Sequence, residues 1–331
     1  MKKTVDLLKK LSSVDAPSGW EDRAVEEIEK ILKEGRRTKL GGLVHEAKGR
    51  GRFRKRVGVF AHVDEVSLVV SAEAGDGFFY IETVGGVDPK ILPASKVKVY
   101  TRDGVVRGVI GIMAPHITPP EKKGKVQGYD DLLLDVSMDD WRKVRVGDRV
   151  VLDVQPCELN GKVCGKALDD RAGCTALILA REFLKKLFSK NDVYFVFSSM
   201  EEVGGGGAKT VAHELKIDYA IVVDVTFAEK IEGYQKIEIG KGPAIGIGPF
   251  IDRELAKRAM EIAKENGINH QIEALPMRTG TDADDVRRAW VGIKTLLLSI
   301  PLLHMHTPVE IVDPKDVEET ARLIAHVAAS L

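Results

Sequence analysis

Ionisable side chains directly follow several apolar runs of this chain: His62-Val63-Asp64-Glu65, Lys166-Ala167-Leu168-Asp169-Asp170-Arg171, Glu201-Glu202, Asp224 and His304-Met305-His306. In extended chain His62 and Asp64 point the same way, so the carboxylate can hold the second nitrogen of the imidazole. The adjacent acidic pairs Asp169-Asp170 and Glu201-Glu202 would repel strongly unless something positive lay between them. A histidine and carboxylate set without thiolates suits zinc, cobalt or manganese. His62, one of the two Asp at 169 and 170, one of the two Glu at 201 and 202, Asp224 and a histidine at 304 or 306 are too many ligands for one catalytic zinc, which keeps about three protein ligands. They suit two divalent cations sharing a bridging carboxylate.

Each residue also has a plainer explanation. A single strand-end histidine is commonly structural, Asp169 or Asp170 can cap the following helix, and Glu201-Glu202 can be a solvated pair. Asp224 can open a turn, and His304 or His306 can sit in a core. Their coincidence at one edge of one expected sheet is what favours the cation site. Gly204-Gly205-Gly206-Gly207-Ala208-Lys209-Thr210 imitates a phosphate loop. It lacks the glycine before the lysine, and Glu201-Glu202 would push phosphates away.

The elements that must position these groups can be read from periodicity. Short β-rich runs at 57–61, 193–197, 220–223 and 295–300 alternate with helical patterns at 172–187, 253–265 and 314–329. Such alternation builds an α/β fold, a mostly parallel sheet flanked by helices, with ligands at the carboxyl ends of the strands. This reading covers residues 1–66 and 161–331. Residues 67–160 lose the helical period and carry Val-rich segments cut by Gly75-Asp76-Gly77, Gly85-Gly86, Asp103-Gly104 and Gly147-Asp148. That stretch is too long for a loop and is expected to fold as an inserted small antiparallel β-barrel or sandwich.

With 331 residues the chain can bury a full core, and 50 Lys and Arg against 50 Asp and Glu leave no basic field for a nucleic-acid backbone. No apolar run of the length of a membrane span or secretion signal is present, so a cytoplasmic protein is expected. Three cysteines without a Cys-x-x-Cys pair fit a reducing compartment, and four Asn and four Gln beside 30% charged residues hint at a thermophile.

The chain resembles the tetrahedral (TET) aminopeptidases, also called the glutamyl aminopeptidase family, some of whose members carry the description endoglucanase. The resemblance spans nearly the whole chain through Ala61-His62-Val63-Asp64-Glu65, Leu168-Asp169-Asp170-Arg171, Glu201-Glu202-Val203-Gly204, Val223-Asp224-Val225-Thr226, Gly240-Lys241-Gly242-Pro243, Gly280-Thr281-Asp282-Ala283 and His306-Thr307-Pro308-Val309-Glu310. It implies that His62 and Asp224 bind one metal, Glu202 and His306 the other, and Asp169 both. Glu201 would be the general base, Asp64 would orient His62, and the Asp169-Asp170 peptide would be cis. Gly280, Thr281 and Asp282 would border the substrate. It further implies a metal-dependent aminopeptidase acting on small peptides by a two-metal-activated water, with zinc, cobalt or manganese as cofactor. By the same resemblance the inserted segment would be a small β-barrel that serves assembly into a homo-oligomer, a tetrahedral dodecamer or a dimer.

Ser67, Arg287, Leu303 and His304 stand where the family usually has other residues, around the expected substrate region. They keep a second reading in view, a metal-binding member that has lost peptidase activity. A glycoside hydrolase would also use paired carboxylates, but it would work without metal and would want aromatic platforms, which 6% aromatics scarcely offer.

Overall fold

The computed structural model describes residues 1–114, 116–125, 128–229 and 236–331. The chain divides into two compact units, the first formed by Met1–Glu65, Pro156–Met305 and Val309–Leu331, the second by Val66–Gln155 with His306–Pro308. No helix among the described residues is long and apolar enough to cross a membrane.

The first unit is built on an 11-stranded mixed sheet. Its centre is parallel: Asp192–Ser198 pairs with Arg56–His62, which pairs with Tyr219–Phe227, which pairs with Lys294–Leu303. These strands are runs of Val, Ile, Leu and Phe because both faces are covered, and neighbours such as Val59 and Phe60 are equally buried. Antiparallel strands extend the sheet, Leu43–Ala47 on one side and Glu310–Val312, Lys162–Gly165 and Cys157–Leu159 on the other. Register puts His62 beside Ser198, where both strands end, and Asp224 beside Ser299, while the last two strands pair on as far as Phe227 and Leu302.

Helices flank the sheet in two groups. Lys2–Ser12, Leu168–Leu184 and Pro314–Ser330 pack on one another, and Gly207–Leu215 packs on Asp282–Val286. The helix Arg253–Glu265 buries Leu255, Ala259, Ile262 and Ala263, a helical stripe, and the Asp252 carboxylate caps it by accepting from the Glu254 and Leu255 amides at 3.1 and 3.0 Å. Pro314 occupies the first turn of its helix behind Asp313, which accepts from the Lys315 amide at 2.9 Å. The helix expected from Ala172 is preceded by Leu168-Asp169-Asp170, in which the two aspartates have non-helical backbone angles.

The second unit is a closed antiparallel barrel in the strand order Ser67–Gly75, Phe78–Val84, Leu133–Asp135, Gly104–Gly111, Ser95–Thr101, Arg149–Leu152. Leu68, Val70, Phe79, Ile81, Val97, Val99 and Val150 fill its interior. Gly75-Asp76-Gly77 turns with positive φ at all three residues, 100°, 50° and 85°, which only glycine adopts freely and Asp tolerates.

Candidate metal centre

His62 closes its strand fully buried, with Nε2 3.1 Å from Asp169 Oδ1 and 3.9 Å from Asp224 Oδ1. Its Nδ1 lies 3.2 Å from the Asp64 carbonyl oxygen and 3.5 Å from Asp64 Oδ1. Asp64 is itself held from three sides: Ser18 Oγ donates to Oδ2 at 2.7 Å, the Glu201 amide to Oδ1 at 3.0 Å and the Glu202 amide to Oδ2 at 3.2 Å. One carboxylate thus orients the imidazole and fastens the turn carrying both glutamates. Burial pushes Asp64 up, yet His62, Ser18 and the Glu201 amide together bring it below its ordinary value.

Met200, in the left-handed region at φ 60°, swings the chain out of its strand into Glu201–Val203. Its amide donates to Glu21 Oε1 at 3.1 Å. Glu21 is pushed up to about 6, mainly by burial, with Asp64 adding repulsion. Gly207 permits the tight return after the glutamates, since a Cβ there would lie 2.2 Å from the Ser199 carbonyl oxygen.

Asp169 and Asp170 are joined by a cis peptide bond. Glu310 Oε2 accepts from the Leu168 and Asp169 amides at 2.6 and 3.2 Å, which pins this backbone. Asp170 Oδ1 accepts from the Gly173 amide at 2.9 Å, so the ordinary capping role is present too. Its Oδ2 is buried with no hydrogen-bond partner among the described residues. Beneath it a Cβ on residue 173 would fall 2.4 Å from both carboxylate oxygens, so only glycine fits.

The ligand atoms gather in two sets, each within 4.8 Å: His62, Asp169 and Glu202, and His62, Asp170 and Asp224. Burial raises Asp170 and Asp224 well above the ordinary carboxylate range, and repulsion from acidic neighbours adds to the rise while His62 works against it. Burial also pushes Glu201 up to about 10, with Asp224, Asp282 and Glu202 contributing repulsion. Burial disfavours protonated His62, but Asp169 and Asp64 outweigh it, and His62 stands well above its usual value. A crowded, buried set of carboxylates around one histidine, with an orphaned oxygen on Asp170, fits hard to borderline divalent cations.

The structure thus brings His62, Asp64, Asp169, Glu202 and Asp224 together with Glu201. His306 groups with the barrel unit, where its Nδ1 lies 2.8 Å from the Gly86 carbonyl oxygen. His304 donates its amide to Glu229 Oε1 at 2.6 Å. Thr281 caps a short helix by accepting from the Ala283 amide at 3.1 Å, and Gly280 donates its amide to Asp284 Oδ2 at 3.2 Å. Asp282 is buried, accepts from Ser198 Oγ at 2.6 Å and is pushed up to about 6, chiefly by burial. Arg287 donates to the Pro249 carbonyl oxygen at 2.7 Å and lies over the Phe250 ring.

Glu310, Ser18 and Glu21 were not among the candidates drawn from the sequence, and Asp170 entered only as the alternative to Asp169. For Asp170 a signal existed in its adjacency to Asp169. Glu21 and Glu310 accept from backbone amides far away in the chain and Ser18 donates to the distant Asp64 carboxylate, for which single-sequence spacing holds no sign.

Residues 41–323 match the family model for M42 glutamyl aminopeptidase. The lysyl aminopeptidase of Pyrococcus furiosus is 32% identical over 333 residues, covering 96% of this chain and 94% of the relative. An aminopeptidase structure from the archaeon Desulfurococcus kamchatkensis superposes with a TM-score of 0.91 at 32% identity, covering 100% of this chain and 95% of that one. The TET1 peptidase of Pyrococcus horikoshii, which can assemble into a tetrahedron or a large octahedral shell, superposes at 0.86 with 31% identity, covering 99% and 100%. With most of its length matched by the family model and by relatives above 30% identity, the chain belongs to the M42 glutamyl aminopeptidase family.

Proposed function

We propose that this protein is a metal-dependent aminopeptidase that removes N-terminal residues from small peptides. The observation that carries the reading is the convergence of His62, Asp169, Asp170, Glu202 and Asp224 in two overlapping ligand sets beside a buried Glu201. His62, Asp169, Glu202 and Asp224 would hold two divalent cations, zinc or cobalt by donor type, with manganese as a further choice. Asp170 is a further oxygen donor on the His62 and Asp224 side. His306 as a ligand rests on the family resemblance, and metal content of a His306→Ala variant tests it. Bound there, the cations supply the Lewis-acid charge that polarises a peptide carbonyl and offsets the repulsion among the carboxylates.

Glu201 accepts a proton from the attacking water and passes it to the leaving amine, the two halves of one general acid-base cycle. Asp64 keeps the His62 ring in place through Nδ1 and holds the Glu201 amide, so base and ligand keep a fixed relation. The carboxylate-rich wall attracts the ammonium of a free peptide N-terminus, which favours attack at the terminal residue. Gly280, Thr281 and Asp282 are proposed to border the substrate. Residues 1–66 and 161–331 are assigned the catalysis and residues 67–160 assembly into a homo-oligomer, a tetrahedral dodecamer or a dimer. Three free thiols suit a reducing cytoplasm.

A panel of aminoacyl chromogenic amides, with zinc, cobalt or manganese supplied, tests the reading. Hydrolysis abolished by a chelator and restored by metal is expected. Uniform inactivity of metal-loaded protein would overturn it in favour of a non-catalytic member, and chelator-resistant cleavage of glucan in favour of a glycoside hydrolase.

A further inference from the structure

Cys157 and Cys164 are direct register partners across the antiparallel hairpin at the margin of the large sheet, with Glu158 opposite Val163 and Leu159 opposite Lys162. The connecting Asn160 and Gly161 have φ of 49° and 78°, positive at both positions as a two-residue type I′ turn requires. The turn therefore sets the register, and the cysteines cannot slip past one another. Directly opposed residues keep their Cα atoms about 4.5–5.5 Å apart, inside the roughly 4.4–6.8 Å that a disulfide spans. Cys157 is exposed and Cys164 half-buried, whereas Cys174 is fully buried and its thiol donates to the His62 carbonyl oxygen at 3.1 Å.

We propose that Cys157 and Cys164 form a redox modification site, closing to an intramolecular disulfide by exchange with a low-molecular-weight disulfide such as oxidised glutathione. Cys157, as thiolate, attacks one sulfur of the small disulfide; that bond breaks and a small thiolate leaves. Cys164 then loses its proton and attacks the Cys157 sulfur, expelling the second small thiolate. Two protein thiols are oxidised, one small disulfide is reduced, and the two protons end on the two released thiols. Burial, with Cys157 beside it, pushes the Cys164 thiol up, so Cys164 is held back for the second, intramolecular attack. Exposure of Cys157 suits it to the first.

The full, reduced chain is incubated with oxidised glutathione, alkylated after denaturation, and measured by intact-mass spectrometry and tryptic mapping. Expected are a mass lower by two hydrogen atoms before alkylation, alkylation of Cys174 alone, and peptide 150–162 joined to peptide 163–166, all reversed by dithiothreitol. Cys164→Ser is expected to halt at a single glutathione adduct on Cys157. Full alkylation of all three cysteines, a persistent glutathione adduct on the native sequence, or a bond between two chains would overturn the proposal. So would a Cys164→Ser variant that takes up no glutathione.

Discussion

Glu201 and Asp169 are assigned separable duties in the proposed reaction, and substitution tells them apart. General acid-base help is typically worth ~10²–10⁴ in rate, so Glu201→Gln is expected to cut turnover by that order while elemental analysis shows unchanged metal content. Loss of metal with normal activity per loaded site would refute the role. For Asp169→Asn the expected outcome is depletion of both cations, read by the same elemental analysis, because its carboxylate is the proposed shared ligand. Gly173→Ala tests the Asp170 carboxylate from below: the added methyl carbon would fall 2.4 Å from its oxygens, so the carboxylate must move. Weakened metal retention on dialysis is expected, with a lowered Tm. At this scale the neighbourhood of His62 and Asp64 was readable from their spacing of two at a strand end. Asp170 was masked by its plausible capping role, which it also performs.

Elements deliver these side chains through buried polar ties. Glu310, on a short antiparallel strand, holds the backbone of Leu168 and Asp169. Glu310→Ala strands two buried amides at about 1–3 kcal/mol each, and urea unfolding should register the sum. Lys166 binds Glu65 at 2.6 Å and Asp15 at 3.0 Å, all buried, tying the first helix's exit, the first central strand and the approach to Asp169. Removing one partner of such a buried cluster typically costs about 3–5 kcal/mol, which is the loss expected for Lys166→Met in the same measurement. Asp316 in the last helix accepts from the Gly240 and Gly242 amides at 2.6 and 2.7 Å, and burial pushes its carboxyl from 3.8 up to about 6. The folded chain therefore keeps a proton that the unfolded chain has already released. The resulting stability is complete below the ordinary carboxyl value and disappears as pH rises through about 6. Relative to Asp316→Asn, the native sequence should lose of order 2–3 kcal/mol across that window.

For the whole molecule, the assembly proposal predicts a homo-oligomer in analytical ultracentrifugation. A protein that stays monomeric at all concentrations and with metal supplied would contradict it. Much of the architecture was legible because period and burial coincide: the runs at 57–61, 193–197, 220–223 and 295–300 lie inside observed strands, and Arg253–Glu265 forms as its apolar stripe implies. Turn chemistry likewise marked a separate β-rich segment, since Gly-Asp-Gly clusters cannot continue a helix. These features are local, decided by neighbours in sequence and by which faces shun water. The common level of His62 with Ser198 and of Asp224 with Ser299, and the reach of Ser18 to the Asp64 carboxylate and of Glu310 to distant amides, are not local. They depend on which segments pair and in what register, and that is decided only when the packed core brings remote stretches of chain together.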